Sequence, residues 1–227
     1  MGRARAQHEA YERCLVEAGC HVHRVPADDT IPDSVFVEDV AVVFDEVALM
    51  TRPGAETRRA EMPAIAETLG RYRPLRFIES PGTVDGGDVL VAGRQVFVGR
   101  SSRTNAAGLD QTRRLLAPFG YTVQGVDVVG CLHLKSAVTV VAENVLLMNR
   151  AWTQAETFEA FTIVDVDPRE PFAANALRIG DGVIFPAAYR WTRERLDAAG
   201  ARVRTVDVDE LAKAEGGVTC CSLVFEA

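Results

Sequence analysis

Val84-Asp85-Gly86-Gly87-Asp88-Val89-Leu90-Val91-Ala92-Gly93-Arg94-Gln95-Val96-Phe97-Val98 reads as an acidic, glycine-containing entry into a β-hairpin. Val89–Ala92 and Gln95–Val98 are apolar strand signals, and Gly93-Arg94 is the short turn that joins them. A helical stretch from about Thr104 to Pro118 follows. The same plan recurs along the chain. Ser34–Phe44 and Val47–Met50 flank Asp45-Glu46, with a helix predicted from about Thr57 to Arg71. Ala137–Val141 and Val145–Met148 flank Glu143-Asn144, with a shorter helix near Thr153–Phe161. Ala176–Ile179 and Val183–Pro186 flank Gly180-Asp181-Gly182, followed by Trp191–Ala199.

Each hairpin is entered through a short signature: Val37-Glu38-Asp39, Gly86-Gly87-Asp88, Leu134-Lys135-Ser136, Ala173-Ala174-Asn175 and finally Cys220-Cys221-Ser222. The last residues of these signatures are spaced by 49, 48, 39 and 47 positions. A period of that size predicts an α/β repeat architecture, a closed ring of ββα blades, in preference to an alternating α/β fold without symmetry. Equivalent positions in a ring converge on its axis, so signature residues far apart in sequence would meet in one central pocket. After Cys220-Cys221-Ser222 only Leu223–Ala227 remain, read as a single strand, while the chain opens on a helix bearing Tyr11, Cys14, Leu15 and Ala18 at helical spacing. A strand preceding residue 1 would close the ring.

The composition narrows the function. The 227 residues carry 25 Lys+Arg against 32 Asp+Glu, a net charge of −7, with 48% hydrophobic and 25% charged residues. The length fits one large domain or two small ones, the repeat is read as a single domain spanning 1–227, and the composition argues against a disordered chain or a basic nucleic-acid module. No apolar run approaches the roughly 18–20 residues of a membrane span. Five cysteines, two of them adjacent, do not make a disulfide framework. A reducing compartment, the cytoplasm, is expected.

Cys220 and His133 both stand at strand entries, and a Cys/His pair at the ring centre suggests covalent catalysis with the imidazole as acid and base. Taken singly, each also fits a buried structural residue. Glu38, Asp39, Asp85 and Asp88, joined by Asp33, would crowd negative charge into the same layer. Such a cluster is costly unless a cation fills it. A guanidinium fits best, being planar, permanently charged and able to meet carboxylates in a fork. Turn or cap roles are the alternative, least suited to Glu38-Asp39 inside an apolar run. An acidic pocket would hold Cys220 as a thiol until the cation arrived, so substrate binding would promote the thiolate. Arg58 and Arg103 follow their hairpins near helix N-termini and read either as a clamp for a carboxylate or as solvated surface groups. No C-x-x-C or H-x-x-x-H spacing supports a structural zinc site. His8, His21 and His23 are placed on the first helix and a strand after it, away from chemistry.

Ile31-Pro32-Asp33-Ser34-Val35-Phe36-Val37-Glu38-Asp39, Thr51-Arg52-Pro53-Gly54-Ala55, Val84 to Leu90, Leu132-His133-Leu134-Lys135-Ser136 and Thr219-Cys220-Cys221-Ser222 together resemble, in order, the signatures of the dimethylarginine dimethylaminohydrolase family. The match runs from about Arg5 to the C-terminus. The resemblance implies a five-bladed, pseudosymmetric α/β propeller of the pentein type, and hydrolysis of N-omega-methylated arginines to citrulline and dimethylamine or methylamine. Carried over by position, Cys220 would attack the guanidinium carbon. His133 would protonate the leaving amine and then activate water. Asp85 would orient His133 or the guanidinium, and Glu38 and Asp39 would hold the guanidino nitrogens. Asp33 would take the α-amino group, Arg58 and Arg103 the α-carboxylate, and Phe36 would line the pocket. Ala214 would offer a backbone carbonyl, with Ser136 and Asp88 supporting from behind. No cofactor is implied, although zinc inhibits some members through contacts equivalent to Cys220 and His133.

The family also begins with a strand and a flexible lid, which the resemblance leaves without a counterpart here. Arginine deiminase, another guanidine hydrolase or amidinotransferase, and a non-catalytic binding protein of the same fold are the alternatives. The expected partner is a small guanidino molecule, with no nucleic acid and no membrane. The residues leave the oligomeric state open.

Overall fold

The computed structural model describes residues 2–26, 28 and 30–227. The chain forms two compact units, Met1–Arg24 with Lys135–Thr219, and Val25–Leu134 with Cys220–Ala227. Helix α1 (Gly2–Glu17) opens the first unit. The second contains one sheet of β1 (Ala41–Val43), β2 (Ala48–Met50) and β3 (Leu75–Phe77), whose crossover includes helix α2 (Met62–Leu69). It also contains a sheet of β4 (Val89–Ala92), β5 (Gln95–Arg100) and β6 (Thr122–Asp127), crossed by helix α3 (Ala106–Leu116). One-turn helix α4 (Leu134–Ala137) leads to the remaining sheets, β7 (Val138–Ala142), β8 (Val145–Met148) and β9 (Thr162–Asp165), then β10 (Leu177–Ile179), β11 (Gly182–Pro186) and β12 (Arg202–Val206). Helix α5 (Arg190–Ala198) joins β11 to β12, and α6 (Asp209–Ala212) follows.

Among the described residues all four sheets share one plan. The first two strands form an antiparallel hairpin, and the third lies parallel to the second. In the β4–β5 hairpin, Val89 pairs with Val98 and Ala92 with Gln95. A parallel third strand requires a crossover, which is why helical segments separate second and third strands. The chain is therefore an α/β protein of mixed sheets.

Local sequence explains the best-formed crossover. Asn105 caps α3, its side chain accepting the Gly108 N–H at 2.8 Å. Leu109, Thr112 and Leu116 recur at helical spacing and are buried. Leu109 and Leu116 pack into a core with Val89, Val96 and Val98 from one sheet and Val42 and Leu49 from the other. Each fully buried leucine contributes about 1.5–3 kcal/mol. In the first unit Val141, Leu147, Val183, Phe185 and Leu196 form the corresponding core.

Several sequence expectations are corrected. Ser34–Phe44 is not one strand: Val37–Val40 forms a 3₁₀ turn and only Ala41–Val43 pairs. Glu38 and Asp39 break the strand because the turn buries both carboxylates, which a continuous ladder would have alternated between faces. The expected helix Thr57–Arg71 begins as a 3₁₀ segment, Glu56–Glu61, before α2. Near Thr153–Phe161 only the 3₁₀ turn Ala155–Phe158 forms. Leu223–Ala227 is not a strand, and Leu223 and Phe225 instead pack on the core beside α2. His21 and His23 lie in irregular backbone rather than on a strand. The parallel third strands, which the hairpin reading did not include, complete each sheet. Among the described residues no helix is long and apolar enough to cross a membrane.

Candidate active site

The short turns entering the hairpins carry the candidate chemical groups. The Val37–Val40 turn leads into β1 and holds Glu38 and Asp39, both buried. The equivalent turn, Gly86–Asp88, leads into β4 and follows the buried Asp85. His133 is buried at the start of α4, and half-buried Cys220 begins the C-terminal segment. All six of these side chains, counting Asp88, belong to the second unit. The Glu38 N–H donates to the Cys220 carbonyl at 3.2 Å, fastening the backbone of Cys220 to the acidic turn.

His133 is the centre of the arrangement. Its Nε2 lies 3.0 Å from Asp85 Oδ2, while Asp85 Oδ1 accepts the Gly54 N–H at 2.8 Å. Asp85 thus bridges the imidazole and the Gly54 backbone. Nδ1 faces Asp39 Oδ1 at 3.8 Å. Burial works against the imidazolium, but the Asp85 hydrogen bond and the charges of Asp39, Asp88 and Asp85 outweigh it, raising the pKa to about 9. The paired glycines now have a reason. A Cβ on Gly87 would lie 2.6 Å from His133 Nδ1, and one on Gly86 would lie 1.9 Å from the Glu38 carbonyl oxygen. Only glycines let the turn approach so closely.

Asp88 is occupied by partners of its own. Its carboxylate accepts from Ser101 Oγ (2.6 Å), Thr104 Oγ1 (2.7 Å) and the Leu134 N–H (3.0 Å). Burial pushes its pKa up, opposed by His133 and these hydrogen bonds.

Arg58, expected to meet a substrate carboxylate, is engaged by carboxylates of the protein itself. Its guanidinium forms a two-pronged ion pair with Glu61, donates to Asp39 Oδ2 at 2.8 Å and donates to the Phe36 carbonyl at 2.9 Å. Burial opposes its charge, but the Glu61 and Asp39 carboxylates hold its pKa above the ordinary value. Asp39 in turn accepts the Gly87 N–H at 3.1 Å. The half-buried Arg103 and exposed Asp33 contrast with Arg58. Among the described residues neither the Arg103 guanidinium nor the Asp33 carboxylate enters a hydrogen bond or ion pair. Phe36 is half-buried, its N–H donating to the Asp33 carbonyl at 2.9 Å. Burial drives the Cys221 thiol well above its ordinary pKa, with Cys220, Glu38 and Asp39 adding to the effect. Ser136, half-buried, and Ala214, exposed after α6, belong to the first unit.

Asp39, Asp85 and His133 each present a potential ligand atom within 4.8 Å of the others. The cation site these could form differs from the zinc contact expected at Cys220 and His133. Asp85 already bonds His133 and Gly54, and Asp39 bonds Arg58 and Gly87.

Sequence reasoning did not single out Glu61, Ser101, Thr104 or the role of Asn175. In the first unit, the Asn175 side chain accepts the Thr219 N–H at 3.1 Å and donates to Thr219 Oγ1 at 2.9 Å, anchoring the residue before Cys220. Tyr11 of α1 donates to the Val218 carbonyl at 2.7 Å. Asn175 ends the fourth strand-entry signature, so its place in the repeat was a usable signal. Glu61 stands three residues after Arg58, a spacing that joins charged groups along a helical turn.

A family model described as "N,N dimethylarginine dimethylhydrolase, eukaryotic" matches residues 1–226. The chain belongs to the dimethylarginine dimethylaminohydrolase family. It is 39% identical over 225 residues to the N(G),N(G)-dimethylarginine dimethylaminohydrolase of Pseudomonas aeruginosa, covering 98% of this chain and 89% of that one. It is 42% identical over 224 residues to the enzyme of the same name from Streptomyces coelicolor, covering 98% and 86%. The solved P. aeruginosa family member, a Cys-to-Ser mutant complexed with citrulline, superposes with a TM-score of 0.94 at 38% identity, covering 99% of this chain and 89% of that one. The neighbouring fold of an arginine dihydrolase from cyanobacteria matches with a TM-score of 0.89 at 22% identity, covering 98% and 86%. At that identity the likeness concerns the fold.

Proposed function

We propose that this protein is a hydrolase that converts N-omega-methylated arginine, asymmetric dimethylarginine or the monomethyl form, to citrulline and dimethylamine or methylamine. The observation that carries the reading is the buried His133–Asp85 pair among carboxylates, in a unit that also holds Cys220. The names of the relatives and the citrulline complex of one of them support the substrate class.

In this reading the guanidinium enters beside Glu38 and Asp39, and its positive charge favours the Cys220 thiolate. The thiolate adds to the guanidinium carbon. His133, charged at neutral pH, gives its proton to the departing amine as the C–N bond breaks, leaving a thiouronium on Cys220 and a neutral imidazole. Because Asp85 holds Nε2, Nδ1 is the nitrogen that exchanges protons with substrate. The neutral imidazole then takes a proton from water, hydroxide adds to the thiouronium carbon, and collapse expels the thiolate. The protonated urea gives its last proton to solvent as citrulline. Arg103 meets the α-carboxylate and Asp33 the α-amino group. Phe36 lines the pocket, and Arg58 serves chiefly by holding Asp39 and the Phe36 carbonyl. Ala214 offers its carbonyl to the substrate, with Ser136 and Asp88 behind the reacting groups.

The finer architecture belongs to the same proposal. Residues 1–227 are read as one catalytic domain whose four sheets, identical in strand order, are blades of a five-bladed pseudosymmetric propeller. We also infer a cytoplasmic setting, supported by five cysteines none of which is in a disulfide. The test is to incubate the protein with asymmetric dimethylarginine and with arginine, measuring citrulline, dimethylamine and ammonia. Citrulline with stoichiometric dimethylamine is expected. Ammonia from arginine with no turnover of the methylated substrate would replace this reading with arginine deimination.

A further inference from the structure

The reacting side chains account for only part of the buried polar network around His133. Thr104 is buried at 3% exposure and uses its hydroxyl twice. Oγ1 donates to Asp88 Oδ2 at 2.7 Å and accepts the Asp85 N–H at 3.1 Å. Asp88 Oδ1 accepts the Leu134 N–H at 3.0 Å, one residue beyond His133. Asp85 reaches His133 Nε2 from the other side. A closed path thus runs from the His133 ring through Asp85, the Thr104 hydroxyl and Asp88 to the peptide that follows His133. Ser101 adds a second strand to this path. Its Oγ donates to Asp88 Oδ2 at 2.6 Å and accepts the Arg103 N–H at 3.0 Å and the Thr104 N–H at 3.3 Å.

We propose that Thr104 is a positioning residue of the hydrolytic reaction, its hydroxyl fixing the Asp85 backbone against Asp88 so that the imidazole of His133 is held at both its ring and its main chain. A hydroxyl is the group this position needs, because it must accept from an amide and donate to a carboxylate at once. Serine retains both functions and valine neither. Without the hydroxyl, the Asp85 amide is buried and unpaired and Asp88 loses one donor, so Asp85 is free to shift relative to the ring. Among the described residues the groups facing His133 are Asp85 at Nε2, Asp39 at Nδ1, the charge of Asp88 behind its peptide and the Cys131 thiol, which donates to the His133 carbonyl at 3.3 Å. Losing the Thr104 hydroxyl frees the Asp85 backbone and takes one donor from Asp88, while Asp39 and Cys131 keep their contacts.

This inference rests on the hydrolase reading, and its test separates the two. Thr104→Val, Thr104→Ala and Thr104→Ser are compared with the full chain and with Thr112→Val. That control removes another fully buried threonine hydroxyl, one bonded to the Gly108 carbonyl within α3. Citrulline formation gives kcat and KM, and NMR gives the His133 titration midpoint, assigned by the resonance missing in His133→Gln. Thr104→Val and Thr104→Ala are expected to lower kcat about tenfold or more with little change in KM, and to move the His133 midpoint down, because one misplaced support misaligns the proton donor. Thr104→Ser restores both readouts, and Thr112→Val lowers the melting temperature without changing either. The alanine variant carries the test if the valine variant does not fold. Wild-type kcat and wild-type His133 titration in either folded variant would overturn the proposal, as would a serine variant as impaired as alanine. If the wild-type chain makes no citrulline, the hydrolase reading fails, while the titration arm still decides the positioning of His133.

Discussion

Replacing Asp85 with asparagine isolates the contact on which the proposed chemistry turns. The change is nearly isosteric. In Asp85→Asn the side-chain amide oxygen can accept the Gly54 N–H, as the carboxylate Oδ1 does in the wild type. At the other atom an amide N–H replaces an acceptor, so the hydrogen bond to His133 Nε2 reverses and favours the neutral ring. A buried charge-assisted hydrogen bond is worth about 1.5–3 kcal/mol, or about one to two pH units at 1.36 kcal/mol per unit. The His133 midpoint, about 9 in the wild type, should therefore fall by about that amount. Stability supplies a second readout. Because the folded pKa lies above the ordinary 6.5, the imidazolium's contribution is full below about 6.5 and is lost as pH rises through 9. The span corresponds to about 3 kcal/mol, and Asp85→Asn should lose less than the wild type over it. NMR titration of His133 and denaturant unfolding from about pH 6 to 10 measure both effects. A variant with an unchanged midpoint and an unchanged stability slope would refute the assignment of Asp85 as the imidazole's support.

Arg103→Met should raise KM for dimethylarginine about tenfold or more with a smaller change in kcat, since losing a charged ligand contact costs over about 1.4 kcal/mol; steady-state kinetics checks this. Arg58→Met should destabilise the fold by about 3–5 kcal/mol, because Glu61 and Asp39 are left as buried carboxylates without their cation; chemical denaturation reads the loss. Gly87→Ala should depress kcat about a hundredfold by displacing the His133 ring, which the new Cβ would meet at 2.6 Å; comparing kcat with the melting temperature separates displacement from unfolding.

The repeat was legible in the sequence because strand, turn and helix signals are local. Val89–Ala92 and Val145–Met148 appear in the structure with the boundaries their apolar runs suggested. The third strands were harder. Arg202–Val206 and Thr122–Asp127 are half-exposed, so burial wrote only a weak alternating pattern into them. Leu75–Phe77 is three residues long and mostly exposed, leaving almost no pattern at all. Leu223–Ala227 looked like a strand for the opposite reason: Leu223 and Phe225 pack, half-buried, against a core without joining a ladder.

Residue types and their place in the repeat were sufficient to nominate Cys220, His133 and the carboxylates, because nucleophile, acid and cation partner each require particular functional groups. Which carboxylate does what was decided by tertiary structure. Asp85 and Asp88 stand three residues apart and are told apart in the sequence only by the family resemblance, not by type or periodicity; in the structure one meets the imidazole and the other turns to two hydroxyls and a backbone amide. Arg58 and Arg103 occupy matching places after their hairpins, yet Glu61 and Asp39 engage the first, while among the described residues no ion pair engages the second. Hydrogen bonds and ion pairs depend on distances of a few ångströms between groups remote along the chain. Sequence periodicity carries no such distances, so it could name the charges but not pair them.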